Sequence, residues 1–179
     1  MATDPTSVLL SGKTRNTEAA MPAVEEFFRT LALRVRSRLV NRSSSNIAVR
    51  LATVSVQKLD EVKDDGRFRS GGVFGLLRFD ASQIAGMAAL QRGLLTKVIG
   101  AMLGDDDDSS TAEEVAIRPL SPVEGRIAQR IFVDLCSDLV DSWPLLPAPA
   151  VTLDGLPGNV RVVEQQGSEE EVFCAVMEF

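Results

Sequence analysis

The sequence predicts a mixed α/β fold. Three observations carry that reading. Residues 120–143 have the caps and apolar spacing of one long helix. Residues 22–40 repeat apolar side chains at helical spacing in a second. Between and after them lie short valine- and leucine-rich segments of strand length, some with a two-residue period.

In chain order, residues 1–18 are polar and mixed, without periodicity, and are expected to form a mobile leader. Pro22 is expected to open the first helix, whose apolar face is Val24, Phe27, Phe28, Leu31, Val35 and Leu39. Residues 41–46 form a polar connection. Ile47, Val49 and Leu51 then alternate with smaller or polar residues, as in a strand. Val54 and Val56 resume the alternation one step out of phase, which predicts a bulge near Thr53. Residues 62–72 are charged and glycine-containing, a loop; residues 73–79, VFGLLRF, are a second strand.

Residues 84–103 divide local propensity from context. Alanines and leucines favour a single helix. Gly86, Gly93 and Gly100 interrupt it, and the alternative is a strand over 84–90 followed by a helix over 91–103. Gly104 ends the helix, and an acidic stretch, surface loop in character, leads to Ser121. Ser121 is a good N-cap, Pro122 fits the first helical position and Glu124 completes a capping box. The buried stripe is expected to be Val123, Ile127, Ile131, Leu135 and Leu139, with Ala128, Phe132 and Cys136 beside them. Arg126, Gln129, Arg130, Asp134, Asp138 and Asp141 would form the solvated face. Pro144 stops the helix and pushes Trp143 out of helical geometry. Residues 151–153, 160–163 and 172–177 are strand candidates.

Composition narrows the function. The chain has 179 residues, enough for one domain with a real core. Its net charge of −6 argues against nucleic acid, despite a local cluster of Arg29, Arg34, Arg36, Arg38 and Arg42. No run is long and apolar enough for membrane insertion, and no signal peptide is visible, so a cytoplasmic protein is expected. With no histidine, the usual hydrolase triad has no base. Cys136 and Cys174 alone do not make a zinc site and read as reduced core residues. Gly12-Lys13-Thr14 matches the end of a P-loop, but Ser7 stands where its first glycine is required, and no strand is expected before it. Read as a calcium loop from Asp105, the sixth and twelfth positions are Ser110 and Ala116 rather than glycine and glutamate. No cofactor or metal is expected.

Four stretches together resemble the middle domain of the flagellar motor switch protein FliM. They are Phe28-Arg29-Thr30-Leu31 in the first helix, Val73-Phe74-Gly75-Leu76-Leu77-Arg78-Phe79, Met102-Leu103-Gly104-Asp105, and Leu120-Ser121-Pro122-Val123-Glu124-Gly125-Arg126-Ile127. The match runs from about residue 24 onward. It implies a three-layer α/β/α sandwich of the CheC/CheX/FliM kind, with two similar halves related by a pseudo-twofold axis. One domain would span 19–179, with halves at about 20–104 and 118–179. The resemblance also resolves the ambiguous segment, as a strand over 84–90 and then a helix. The final strand of the second half would be missing, as in a chain truncated at its C-terminus.

The resemblance implies a scaffold in the motor's cytoplasmic ring, peripheral to the inner membrane at the flagellar basal body. It implies contacts with neighbouring FliM copies and a FliG-type rotor protein, and with a FliN-type protein through regions absent here. The N-terminal regulator-binding peptide of the family is not recognisable in residues 1–13. The FliG-binding glycine-glycine-x-glycine loop aligns with Gly104-Asp105-Asp106-Asp107, where only the first glycine is kept. Either the partner is recognised through charge or the loop has lost that role. Phe68 and Val73 could serve contacts between neighbours or the core. A type III secretion ring homologue is the alternative scaffold. A CheC-like phosphatase of phosphorylated CheY would need an asparagine three residues after a glutamate. Glu25 is followed there by Phe28 and Glu124 by Ile127, neither of which orients water, so no enzyme is expected.

Overall fold

The computed structural model describes residues 5–11, 17–43, 48–58, 61–62, 72–79, 85–103, 119–143, 148–156 and 171–178. The strands are β1 (Pro5–Ser11), β2 (Arg50–Lys58), β3 (Val73–Phe79), β4 (Ala85–Leu90), β5 (Val151–Gly155) and β6 (Glu171–Glu178). The helices are α1 (Thr17–Ser43), α2 (Arg92–Leu103) and α3 (Pro122–Ser142). The strands form one antiparallel sheet in the order β2-β6-β1-β4-β3-β5.

That order is a palindrome. A half-turn about an axis between β1 and β4 exchanges β1 with β4, β6 with β3 and β2 with β5. The register obeys the same operation, since Ser7 pairs with Ala89 and Leu9 with Met87. Both outer strands carry an irregularity at the matching place. In β2 the pairing jumps from Leu51–Met177 to Thr53–Val176, leaving Ala52 extra. In β5 it jumps from Leu153–Leu77 to Gly155–Leu76, leaving Asp154 extra. An extra residue bends the strand and moves later side chains to the other face. Val49, Leu51 and Val54 can therefore all reach the same core, as their phase in the sequence predicts.

The palindrome corrects one expectation. Pro5–Ser11 is not a leader: it pairs with β6 on one side and β4 on the other, at the centre of the sheet. The place of the second half's missing last strand is taken by β1, from the opposite end of the sequence. A strand does precede Gly12, but the position where a P-loop needs its first glycine is Ser7, inside β1 and opposite Val176. The first helix begins at Thr17 rather than Pro22, which lies inside it and removes one backbone donor. The strand over Ala85–Leu90 and the helix after it are as the resemblance implies.

All three helices deliver apolar side chains to one face of the sheet. Phe28 and Leu31 come from α1, Leu94, Leu95 and Val98 from α2, and Ala128, Phe132 and Leu139 from α3. They meet Leu77, Ala88, Ala175 and Met177 of the sheet. Fully burying side chains such as Phe28 and Phe132 contributes about 2–3 kcal/mol each. The opposite face carries a smaller cluster of Phe74, Met87, Ala89, Val172, Cys174 and Val176; among the described residues outside the sheet, Val62 covers it. Burial on both faces explains why β3, β4 and β6 read as continuous apolar runs rather than alternating ones. Val73 belongs to the core. Phe68 and residues 160–163 lie outside the described residues.

The start and stop of α3 follow its local chemistry. Ser121 Oγ accepts from the Glu124 backbone N–H at 3.2 Å, and a Glu124 carboxylate oxygen accepts from the Ser121 N–H at 2.7 Å. Trp143 leaves the helix with φ −64° and ψ 125°. Its ring then packs edge-on against Phe27, with centroids 5.4 Å apart, and near Phe79 at 6.1 Å. The helix stop thereby ties α3 to α1 and β3.

Candidate functional site

The sequence-predicted partner site, Gly104, Asp105, Asp106 and Asp107, lies outside the described residues. Its anchors are described. Met102, in the last turn of α2, and Val123, in the first turn of α3, line one cleft between the three helices. Both are exposed, at 42% and 62%. The exposure of Val123 corrects its place in the buried stripe, which begins in effect at Ile127 and Ala128.

The cleft holds about 310 Å³. Its walls are apolar, from Val35 and Leu39 on α1, Leu94 and Val98 on α2, and Ile127 and Ile131 on α3. Its floor reaches the sheet at Leu90 and Met177. Arg126 and Arg130, one helical turn apart, stand exposed along the α3 side.

The same wall contains charges that the sequence places in solvent. Asp134 and Asp138 are buried, at 7% and 3% exposure. Arg38 reaches across from α1, and its Nε donates to both oxygens of Asp138, at 3.1 and 3.0 Å. Nη2 makes a further contact with the same carboxylate. Arg38 Nη1 lies 3.7 Å from Asp134, and Arg130 Nε 3.5 Å from it. The hydrogen bond to Asp138 holds the Arg38 guanidinium protonated even more firmly than usual, against the cost of its own burial. Arg34 and Asp141 add an exposed pair at 3.6 Å. This network is a fixed link between α1 and α3. Spacing along α3 alone hides the link, because Asp138 acquires Arg38 from another helix, and Asp134 adds that arginine to Arg130 of its own helix. The one available signal is Arg38 itself, set among Val35 and Leu39 on the apolar side of α1.

The glutamates weighed for catalysis are placed plainly. Glu25 is exposed, while Phe28 three residues on is fully buried. Glu124 is committed to the capping box, and Ile127 packs against the core. Cys136 is buried among α3's core contacts, and desolvation pushes its thiol up to about 11. Among the described residues no group of three metal-ligating side chains is assembled, and no helix is long and apolar enough to cross a membrane.

A palindromic sheet with α1, α2 and α3 packed on one face defines a pseudo-twofold α/β domain. Its fold is that of the FliM middle domain of the flagellar switch. The chain is similar to the FliM structure in the FliG–FliM complex from H. pylori, with TM-score 0.75 and 12% identity over 90% of this chain and 93% of that one. It is similar to the FliM middle domain of Vibrio alginolyticus, with TM-score 0.68 and 15% identity over 88% and 94%. FliY of Thermotoga maritima follows the same fold, with TM-score 0.60 and 13% identity over 92% and 91%. At such identities the likeness is one of fold. No family model and no curated protein sequence matches the chain.

Proposed function

We propose that this chain is a structural component of a flagellar motor switch, a cytoplasmic scaffold that holds a FliG-type rotor protein and packs beside copies of itself. The observation that carries this reading is the whole-domain match to FliM middle domains, over nine-tenths of both chains, including one from a FliG–FliM complex. The FliG-type contact is assigned to Gly104, Asp105, Asp106 and Asp107, which follow directly on α2. With aspartates in place of glycines, close backbone approach gives way to recognition by charge.

A scaffold rather than a phosphatase is favoured because Glu124 is held in a cap and its i+3 neighbour is isoleucine. Titrating a FliG-type protein into the labelled chain, with amide shifts recorded, tests the assignment. Shifts centred on residues 102–108, weakened by Asp105→Asn with Asp106→Asn and by added salt, are expected. Shifts confined to another face would remove the loop from the interface. The chain should not accelerate dephosphorylation of a phosphorylated response regulator, and measurable turnover would replace the scaffold reading.

A further inference from the structure

We propose that the cleft between α1, α2 and α3 is a binding site for a single-chain amphiphile with a carboxylate head. Two features of the cleft point there. First, it reaches from the helices to the sheet and is small. The lining descends past the helices to Leu90 on β4 and Met177 on β6, and the volume is about 310 Å³. That is the low end for small-molecule sites. One turn of a partner helix, about 10 Å across and about 5.4 Å in pitch, occupies about 420 Å³ and exceeds that volume, whereas an alkyl chain can be taken up beside Val35, Leu94, Val98 and Ile131. Second, arginines outnumber aspartates in the described lining, with Arg38, Arg126 and Arg130 against Asp134 and Asp138. Arg38 is taken up by Asp138, with Asp134 close by. Arg126 makes no ion pair among the described residues, and the Arg130 side chain is 66% exposed, with one long contact to Asp134. Two guanidiniums one turn apart, with no acidic side chain beyond Asp134 and Asp138 among the described lining residues, match a carboxylate.

The apolar walls bind the tail and Arg126 and Arg130 bind the head, with their own methylene stems extending the apolar surface to the rim. No bond is made or broken. The site is independent of the scaffold reading, since it uses neither residues 104–107 nor a protein partner.

The test is titration of decanoate, below its micellar range, into the full chain. Methyl resonances of Val35, Leu94, Val98, Ile127 and Ile131 are followed, and amide dispersion is monitored to confirm that the fold persists. Saturable one-to-one shifts in these methyls support the site. Arg126→Gln with Arg130→Gln is expected to weaken decanoate about tenfold and to leave 1-decanol unchanged. Ile127→Trp fills the cleft and should abolish both; Ile131→Phe serves if that variant does not fold. Equal loss of decanol and decanoate in the arginine variant would overturn the head-group assignment. Unmoved cleft methyls, or shifts centred on the opposite sheet face, would overturn the site. So would cleft shifts that depend on protein concentration alone, which would mean that a second copy covers it. Nuclear Overhauser contacts from the cleft methyls to the chain's own residues 104–118 would also overturn it, showing the cleft already covered.

Discussion

Gly75 of β3 and Phe132 of α3 compete for one space. A Cβ on Gly75 would stand 2.8 Å from Cδ1 and 2.9 Å from Cγ of the Phe132 ring, with Leu153 Cδ1 at 3.1 Å. The glycine is there so that the long helix can lie directly on the sheet. Phe132 is itself 1% exposed and has nowhere to retreat. Gly75→Ala should therefore destabilise the fold by about 1–3 kcal/mol through overpacking. In a Phe132→Leu background the same change should cost less, giving a measurable coupling in urea denaturation. Additive losses would mean that the two sites do not share this space.

The Arg38–Asp138 link gives a second expectation. Arg38→Met leaves Asp138 and Asp134 buried beside a neutral side chain. Removing one member of a buried pair costs about 3–5 kcal/mol, and the partial exposure of Arg38 puts the loss at the lower end. Arg38→Met combined with Asp138→Leu should recover much of that loss, because the uncompensated charge goes with its partner. Thermal and urea midpoints at constant ionic strength compare the two. A double variant less stable than the single would show that the pair itself, rather than the orphaned carboxylate, dominates.

β1 supplies a third. A central strand donates backbone hydrogen bonds to neighbours on both sides, and proline removes a donor and cannot continue the ladder. Val8 lies between Ala88 and Ala175. Val8→Pro should abolish cooperative unfolding or lower the midpoint sharply, whereas a true leader would tolerate it. Hydrogen exchange at β4 and β6 should accelerate together in any folded remnant.

The Cys136 thiol provides a pH dependence. Burial raises it to about 11 from a reference of 9.0. The native state thus keeps its proton where the unfolded chain has lost it. Stability from this group is complete below about pH 9 and declines as pH rises toward 11, by at most about 2–3 kcal/mol. Cys136→Ala, compared with the parent across that range, should flatten the decline. At pH 8 the native thiol should react slowly with an aromatic disulfide reagent and fully after denaturation.

What the sequence revealed depended on how local the cause was. The cap of α3 was legible because Ser121, Pro122, Glu124 and Trp143 act within a few residues of one another. The β2 bulge was legible because a phase slip shows directly in the alternation around Thr53. For residues 84–103 local propensity pointed to a helix, and a family resemblance was needed to recover β4. The strand role of Pro5–Ser11 arises from a slot between two distant strands, which no window around residue 8 contains. Asp138 misled for the same reason, since its partner Arg38 lies on another helix. Val123 continues the apolar period of α3 but sits where no described element covers it. The mouth and walls of the cleft, from Val35 to Met102 and Ile131, are a product of packing that periodicity does not specify.

The first strand of the sequence is zipped to the last, with Pro5 opposite Glu178 and Ser11 opposite Val172. On the ribosome β1 and β4 both emerge before β6 and can pair before it has been synthesised. The nascent sheet therefore keeps one open edge at its own midline until β6 emerges. Closing so long a loop is slow, and until it closes neither half has its full complement of strands. The domain consequently commits to its fold late and as a unit, and proteolysis of the nascent chain should subside only after β6 has cleared the exit tunnel.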